Sequence, residues 1–90
     1  MTRDELENAA ESLADAAAAA DDDEARDRLQ NQATKFEDYA TADRGPDHGQ
    51  LARHEHILHD IADEEGGDVA DHVDDALEAI TEFRSTLEGV

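Results

Sequence analysis

Ninety residues allow one small domain, and 26 Asp plus Glu against 7 Lys plus Arg give a formal net charge of −19. The absence of cysteine removes disulfides, thiol chemistry and Cys-based zinc sites. No apolar run approaches the ~20 residues a bilayer crossing needs, and no basic run is present to neutralise nucleic-acid phosphates. Neither a membrane nor direct nucleic-acid binding is therefore expected. The start, MTRDELENAA, is acidic and lacks an apolar secretion segment, which predicts a cytoplasmic protein.

The apolar inventory is dominated by 17 Ala; Met1 aside, only sixteen larger apolar side chains remain. Such a core is thin for the length, and the net charge adds self-repulsion to the compact state. Two remedies exist. Salt shortens the screening length to ~3 Å at 1 M, and a partner or second copy would bury more apolar surface. Six of the seven cations are Arg and one is Lys35. Acid excess, scarce Lys and abundant Ala read as adaptation to a salt-rich cytoplasm, with stability expected to rise with KCl. Intrinsic disorder shares this composition, so periodicity has to decide.

Four apolar stripes at helical spacing decide for a folded chain. The first, over residues 3–20, uses Leu6, Ala9/Ala10, Leu13, Ala16/Ala17 and Ala20, with Thr2 three residues before Glu5 as a capping pair. Its buried side is almost all alanine, which predicts close, thin packing. The second, over 22–41, uses Ala25, Leu29, Ala33, Phe36 and Ala40, with Asp21 three before Glu24. No Gly or Pro separates these two, so one continuous helix from Arg3 to Ala40 is the alternative. Phase argues against it: continuing the first frame would put Asp27 and Thr34 in the seam. A turn at Asp21-Asp22-Asp23 restores both stripes.

Gly45-Pro46 stops the second helix, and Asp47 three before Gln50 opens the third, over 48–65, with Leu51, Leu58, Ile61 and Ala62 on its apolar side. Gly66-Gly67 ends it. The fourth, over 69–88, carries Val69, Val73, Ala76/Leu77, Ile80, Phe83 and Leu87, with Asp68 as its cap and Gly89 as its stop. Short loops make sequential helices antiparallel neighbours. The expectation is an all-α, antiparallel up-down four-helix bundle, a single domain over 1–90.

The segment TADRGPDHGQLARHEHILHD holds four of the five histidines, the only proline and two arginines. At 100° per residue, His56, His59, Asp60 and Asp63 share an exposed face of the third helix. Neutral imidazoles with carboxylates are ligands for Zn²⁺, Ni²⁺ or Cu²⁺. A solvated face of a very acidic protein explains the same residues without a metal. HEHILH is not the HExxH zincin pattern, and His54 and His59 lie about 140° apart on the helix.

His54 falls instead on the buried side, near Leu58 and Ile61, as a core or interface histidine, a switch or a base. Surrounding carboxylates would favour its charged form. His72, similarly placed on the fourth helix, could approach it with Glu55 or Asp71. Arg44, His48, Arg53 and His54 near the third helix N-terminus form a candidate anion or acidic-partner site; neutralisation of neighbouring acids in cis explains the arginines equally. Gly49, inside the first turn, costs helix stability and suggests a close approach by another backbone.

The segment TADRGPDHGQLARH, the MTRDEL start, the length and the Glu-Gly-Val near the end resemble a group of small acidic helical proteins from halophilic archaea. The resemblance implies a haloarchaeal setting and transfers no activity, cofactor or functional residue. The favoured reading is a non-enzymatic interaction or scaffold protein, with a protein partner or as a homodimer, Leu87, Val90 and Tyr39 being candidates for shared surface. The alternatives are a metal-binding protein using the third helix and an acidic mimic of DNA that occupies a basic protein. No nucleophile, phosphate loop or inward Glu-x-x-His pair supports an enzyme, and no cofactor is expected.

Overall fold

The computed structural model describes residues 3–87 as four helices: α1 (Asp4–Ala19), α2 (Asp23–Thr41), α3 (His48–Glu65) and α4 (Gly67–Arg84). They form a helical bundle measuring 37 × 23 × 16 Å across its Cα atoms. The core is the expected set of stripes. Leu6, Leu13, Leu29, Phe36, Leu51, Leu58, Ile61, Val73 and Ile80 are fully buried. Thr2, Gly89 and Val90, to which the sequence assigns a cap, a stop and a surface, lie outside the described residues.

The helix contacts are unequal. α1 packs closely on both α2 and α4, α4 also packs on α3, while α2 and α3 scarcely approach through their backbones. The cause is side-chain size. α1 turns Ala9, Ala10, Ala16 and Ala17 inward, and a methyl group lets a neighbouring backbone come near. The side chains between α2 and α3 include Phe36, Tyr39 and His54, which hold those helices apart.

The helix ends refine the boundaries. α1 starts at Asp4 with Arg3 as its N-cap residue, and the Arg3 side chain makes no cap bond to its own helix. α2 is capped by Asp22, whose carboxylate accepts from the Ala25 N–H at 2.9 Å. The sequence assigned that cap to Asp21, and three consecutive aspartates offer no local ground for choosing among them. The α3 capping box is as expected: Asp47 Oδ1 accepts from the Gln50 N–H at 2.8 Å and Gln50 Oε1 accepts from the Asp47 N–H at 3.0 Å. Asp68 is not the cap of α4. Gly66 closes α3 and opens α4 at φ +62°, and Gly67 follows at φ +55°. A Cβ at either glycine would meet nothing within 4 Å, so the left-handed backbone, not lack of space, selects glycine there.

Candidate functional site

In a chain with 26 acidic residues, a cation has carboxylates on every side. Where each cation goes is therefore informative. Arg3 crosses to the end of α2: its backbone N–H donates to Ala40 O at 3.0 Å, and its Nη1 donates to the carbonyls of Tyr39 at 2.9 Å and Ala42 at 2.7 Å. α2 has no basic residue in its last turn, so Arg3 supplies the positive charge and the donors its orphan carbonyls need. Gly45 leaves room for this, since a Cβ there would stand 2.8 Å from Arg3 Nε. Arg26 does the same for α1, donating to Ala20 O at 2.8 Å while pairing with Asp23 at 3.0 Å. Arg28 reaches Glu64 of α3 at 3.6 Å. Arg84 joins α4 to α3, through Glu55 Oε1 at 2.6 Å and by donating from Nε to His48 Nδ1 at 3.1 Å.

Three cations remain: Lys35, Arg44 and Arg53. Among the described residues none of them forms an ion pair or a side-chain hydrogen bond. All three lie along the α2/α3 seam. Lys35 and Arg53 line one pocket with Tyr39, Gln50 and His54. Arg44 lines the next with Tyr39, Gly45, Asp47 and Gln50, so Tyr39 and Gln50 are shared by both. The helix pattern contributes to this. The residues three and four away from Arg53 are Gly49, Gln50, His56 and Ile57, none of them a carboxylate that could pair along the helix.

The floor of the seam is a polar network. Gln32, buried within the α2 stripe, presents Oε1 at 2.7 Å from His54 Nδ1, which therefore carries the proton and donates. His54 Nε2 then accepts from the Tyr39 hydroxyl at 3.0 Å. The rings of Phe36, Tyr39 and His54 meet edge to face with centroids 5.2–5.6 Å apart, a favoured aromatic geometry. Burial of the imidazole, then the charges of Lys35 and Arg53, hold its pKa below the ordinary 6.5. This runs against the expectation of a favoured imidazolium: burial, and the positive charges of Lys35 and Arg53, outweigh the acidic surface at His54. The pairing with His72 on α4 is not formed either. α3 is rotated so that His54 faces α2, and both its ring nitrogens are taken there.

The candidate anion site is thus redistributed. Arg53 and His54 share the seam pocket, and Arg44 lies in the adjoining one. His48 faces the other way and is held by Arg84. Lys35, Gln50 and Gln32 join the site, and Tyr39 belongs to it through its hydroxyl. Gln32 is the one addition with a sequence signal, a polar residue inside an apolar stripe. Of the histidine face, His56 comes within 3.7 Å of Asp60. Among the described residues, no three or more His, Asp or Glu gather in a geometry that could hold a metal, His59 and Asp63 included. Gly49 meets only the Asp47 carboxylate at 3.5 Å, so no backbone makes the close approach the sequence suggested. Leu87 packs against the core.

The fold and seam define a small acidic all-α bundle with a polar, cation-edged opening on one side. Its family model is that of a family of unknown function (DUF7553), matched over residues 1–86, and the chain belongs to this family. Neither a curated protein nor a solved structure matches the chain. Among the described residues, no helix is long and apolar enough to cross a membrane.

Proposed function

We propose that the chain is a non-enzymatic interaction module of a salt-rich cytoplasm, with the α2/α3 seam as its binding face. The observation that carries this reading is the sorting of the cations. Arg3, Arg26, Arg28 and Arg84 are spent on helix ends and interhelical pairs. Among the described residues, Lys35, Arg44 and Arg53 are left in adjoining pockets with no carboxylate paired to them. His54 has both ring nitrogens committed, so it orders the seam and is not a free base. The acid excess supports the salt-rich setting, because screening at molar salt removes the long-range repulsion.

The test is capture of the tagged protein from a native extract in multimolar KCl, beside a Lys35→Glu, Arg53→Glu double variant whose helix content is checked by circular dichroism. The expected result is a reproducible partner, or a second copy seen by light scattering, that the folded double variant loses. A partner retained by the variant would move the binding face elsewhere. No partner, together with the scattering mass of one 9.8 kDa chain, would overturn the interaction reading.

A further inference from the structure

We propose that the pocket formed by Lys35, Tyr39, Gln50, Arg53 and His54 binds a side-chain carboxylate of an acidic peptide segment. This rests on the seam being the binding face and names the chemistry that face accepts. The donors are assigned by what each group has already spent. Gln50 uses its Oε1 on the Asp47 N–H, which leaves its amide NH₂ to donate outward. The Tyr39 hydroxyl gives its proton to His54. Lys35 and Arg53 have made no bond to any described group. The pocket therefore offers an ammonium, a guanidinium and an amide NH₂, donors suited to an oxyanion.

Size and setting narrow the ligand. The pocket volume of 240 Å³ lies below the ~300–1,000 Å³ of sites that enclose a drug-sized molecule. It fits the end of an Asp or Glu side chain. At molar salt a charge a few ångströms away is screened, so binding has to come from contact. Arg53 can give contact as a two-pronged hydrogen bond to a planar carboxylate. The Arg44 groove continues the site past Tyr39 and Gln50 and suits the next acidic residue of an extended segment. The Asp47 carboxylate in that groove already accepts the Gln50 N–H, and it sets a limit there on how much negative charge can approach.

A carboxylate seated between Lys35 and Arg53 offsets part of the positive charge that now opposes protonation of His54, so the imidazole reports occupancy. The experiment titrates isotopically labelled full-length protein, in molar KCl, with an end-blocked oligoglutamate peptide and separately with acetate and inorganic phosphate, following the Arg53 Nε–H and His54 ring signals. The expected result is saturable shifts with the peptide, a His54 titration midpoint that rises on binding, and about tenfold weaker binding in Arg53→Gln, the loss of one charge-assisted contact. Arg53→Lys should recover part of the affinity. An absence of saturable shifts overturns the proposal, as does equal binding by Arg53→Gln, or saturation by phosphate alone, which would assign the pocket to a free phosphate ligand. If the peptide fails while captured partners still depend on Lys35 and Arg53, the seam stands and the carboxylate is wrong. If the peptide binds while capture ignores both residues, the pocket stands and the interaction reading falls.

Discussion

The two sides of this bundle solve packing in opposite ways. Around α1, alanines bring backbones together and leave no room for polar groups between them: Ala9, Ala16 and Leu13 are fully buried. Between α2 and α3 the chain places Gln32, Phe36, Tyr39 and His54, and the backbones stay apart. The closed side contributes cohesion, since dense interiors gain many small dispersion contacts. The open side contributes a place for chemistry, because its polar atoms are satisfied by one another and its rim cations are paired with no carboxylate among the described residues. Among the described residues no buried side-chain polar atom lacks a partner, so the opening is a completed network and not a packing defect.

The largest effect should come from adding volume to the closed side. Ala9→Leu inserts three carbons where Ala9 is fully buried, and overpacking of this kind costs about 1–3 kcal/mol. Thermal unfolding in molar KCl should show it as a clear drop in Tm. A Tm unchanged by Ala9→Leu would mean that α1 is not closely held and that the contrast between the two sides is wrong.

A smaller loss is expected from the open side. Tyr39→Phe removes the donor to His54 Nε2 and keeps the ring that packs on Phe36. The half-buried nitrogen can still take water, so the cost should be about 1 kcal/mol. The same network gives a pH dependence with a definite sign. The folded-state pKa of His54 is depressed, and the unfolded chain protonates first as pH falls below 6.5. The stability contributed by neutral His54 is thus fully present above pH 6.5 and is lost as pH falls through its folded pKa. In His54→Gln that step should vanish. Urea midpoints of the two proteins that fell in parallel between pH 7 and 5.5 would show that the imidazole is not held neutral.

How much of this was legible in the sequence differs between the two sides. The closed side is encoded locally: the stripes through Leu6, Leu13, Leu29 and Ile80 state which face of each helix is buried, and those residues are buried. The open side depends on which helix each face meets. Periodicity places His54 on an inward face but does not say whether α2 or α4 stands opposite; it suggests His72 and carboxylates, and the partners are Gln32 and Tyr39 of α2. Arg3 shows the same limit. It reads as the first residue of a helix, yet its bonds are to carbonyls 36 and 39 residues away, and no local pattern carries that information. Lys35 carries no signal in the sequence: Asp38 stands three residues on, as for a helical ion pair, and only the structure shows that Lys35 forms none among the described residues.

The smallest effect has the opposite sign. Gly49 sits in the first turn of α3, next in sequence to Gln50 of the open side, and a Cβ there would touch only Asp47 Oδ1 at an ordinary 3.5 Å. Its φ is not in the left-handed region, where, among the described residues, only Gly66 and Gly67 fall. Nothing in the described contacts therefore requires glycine, and the residue costs helix stability through its backbone entropy. Gly49→Ala should stabilise the protein by about 0.5 kcal/mol, read as a small rise in Tm. The same substitution tests the rim of the site. If the acidic segment approaches the α3 N-terminus closely, the added methyl should weaken oligoglutamate binding while raising Tm. An unchanged affinity would confine the ligand to the Lys35–Arg53 pocket, and a lower Tm would show that the turn is held tighter than its open surroundings indicate.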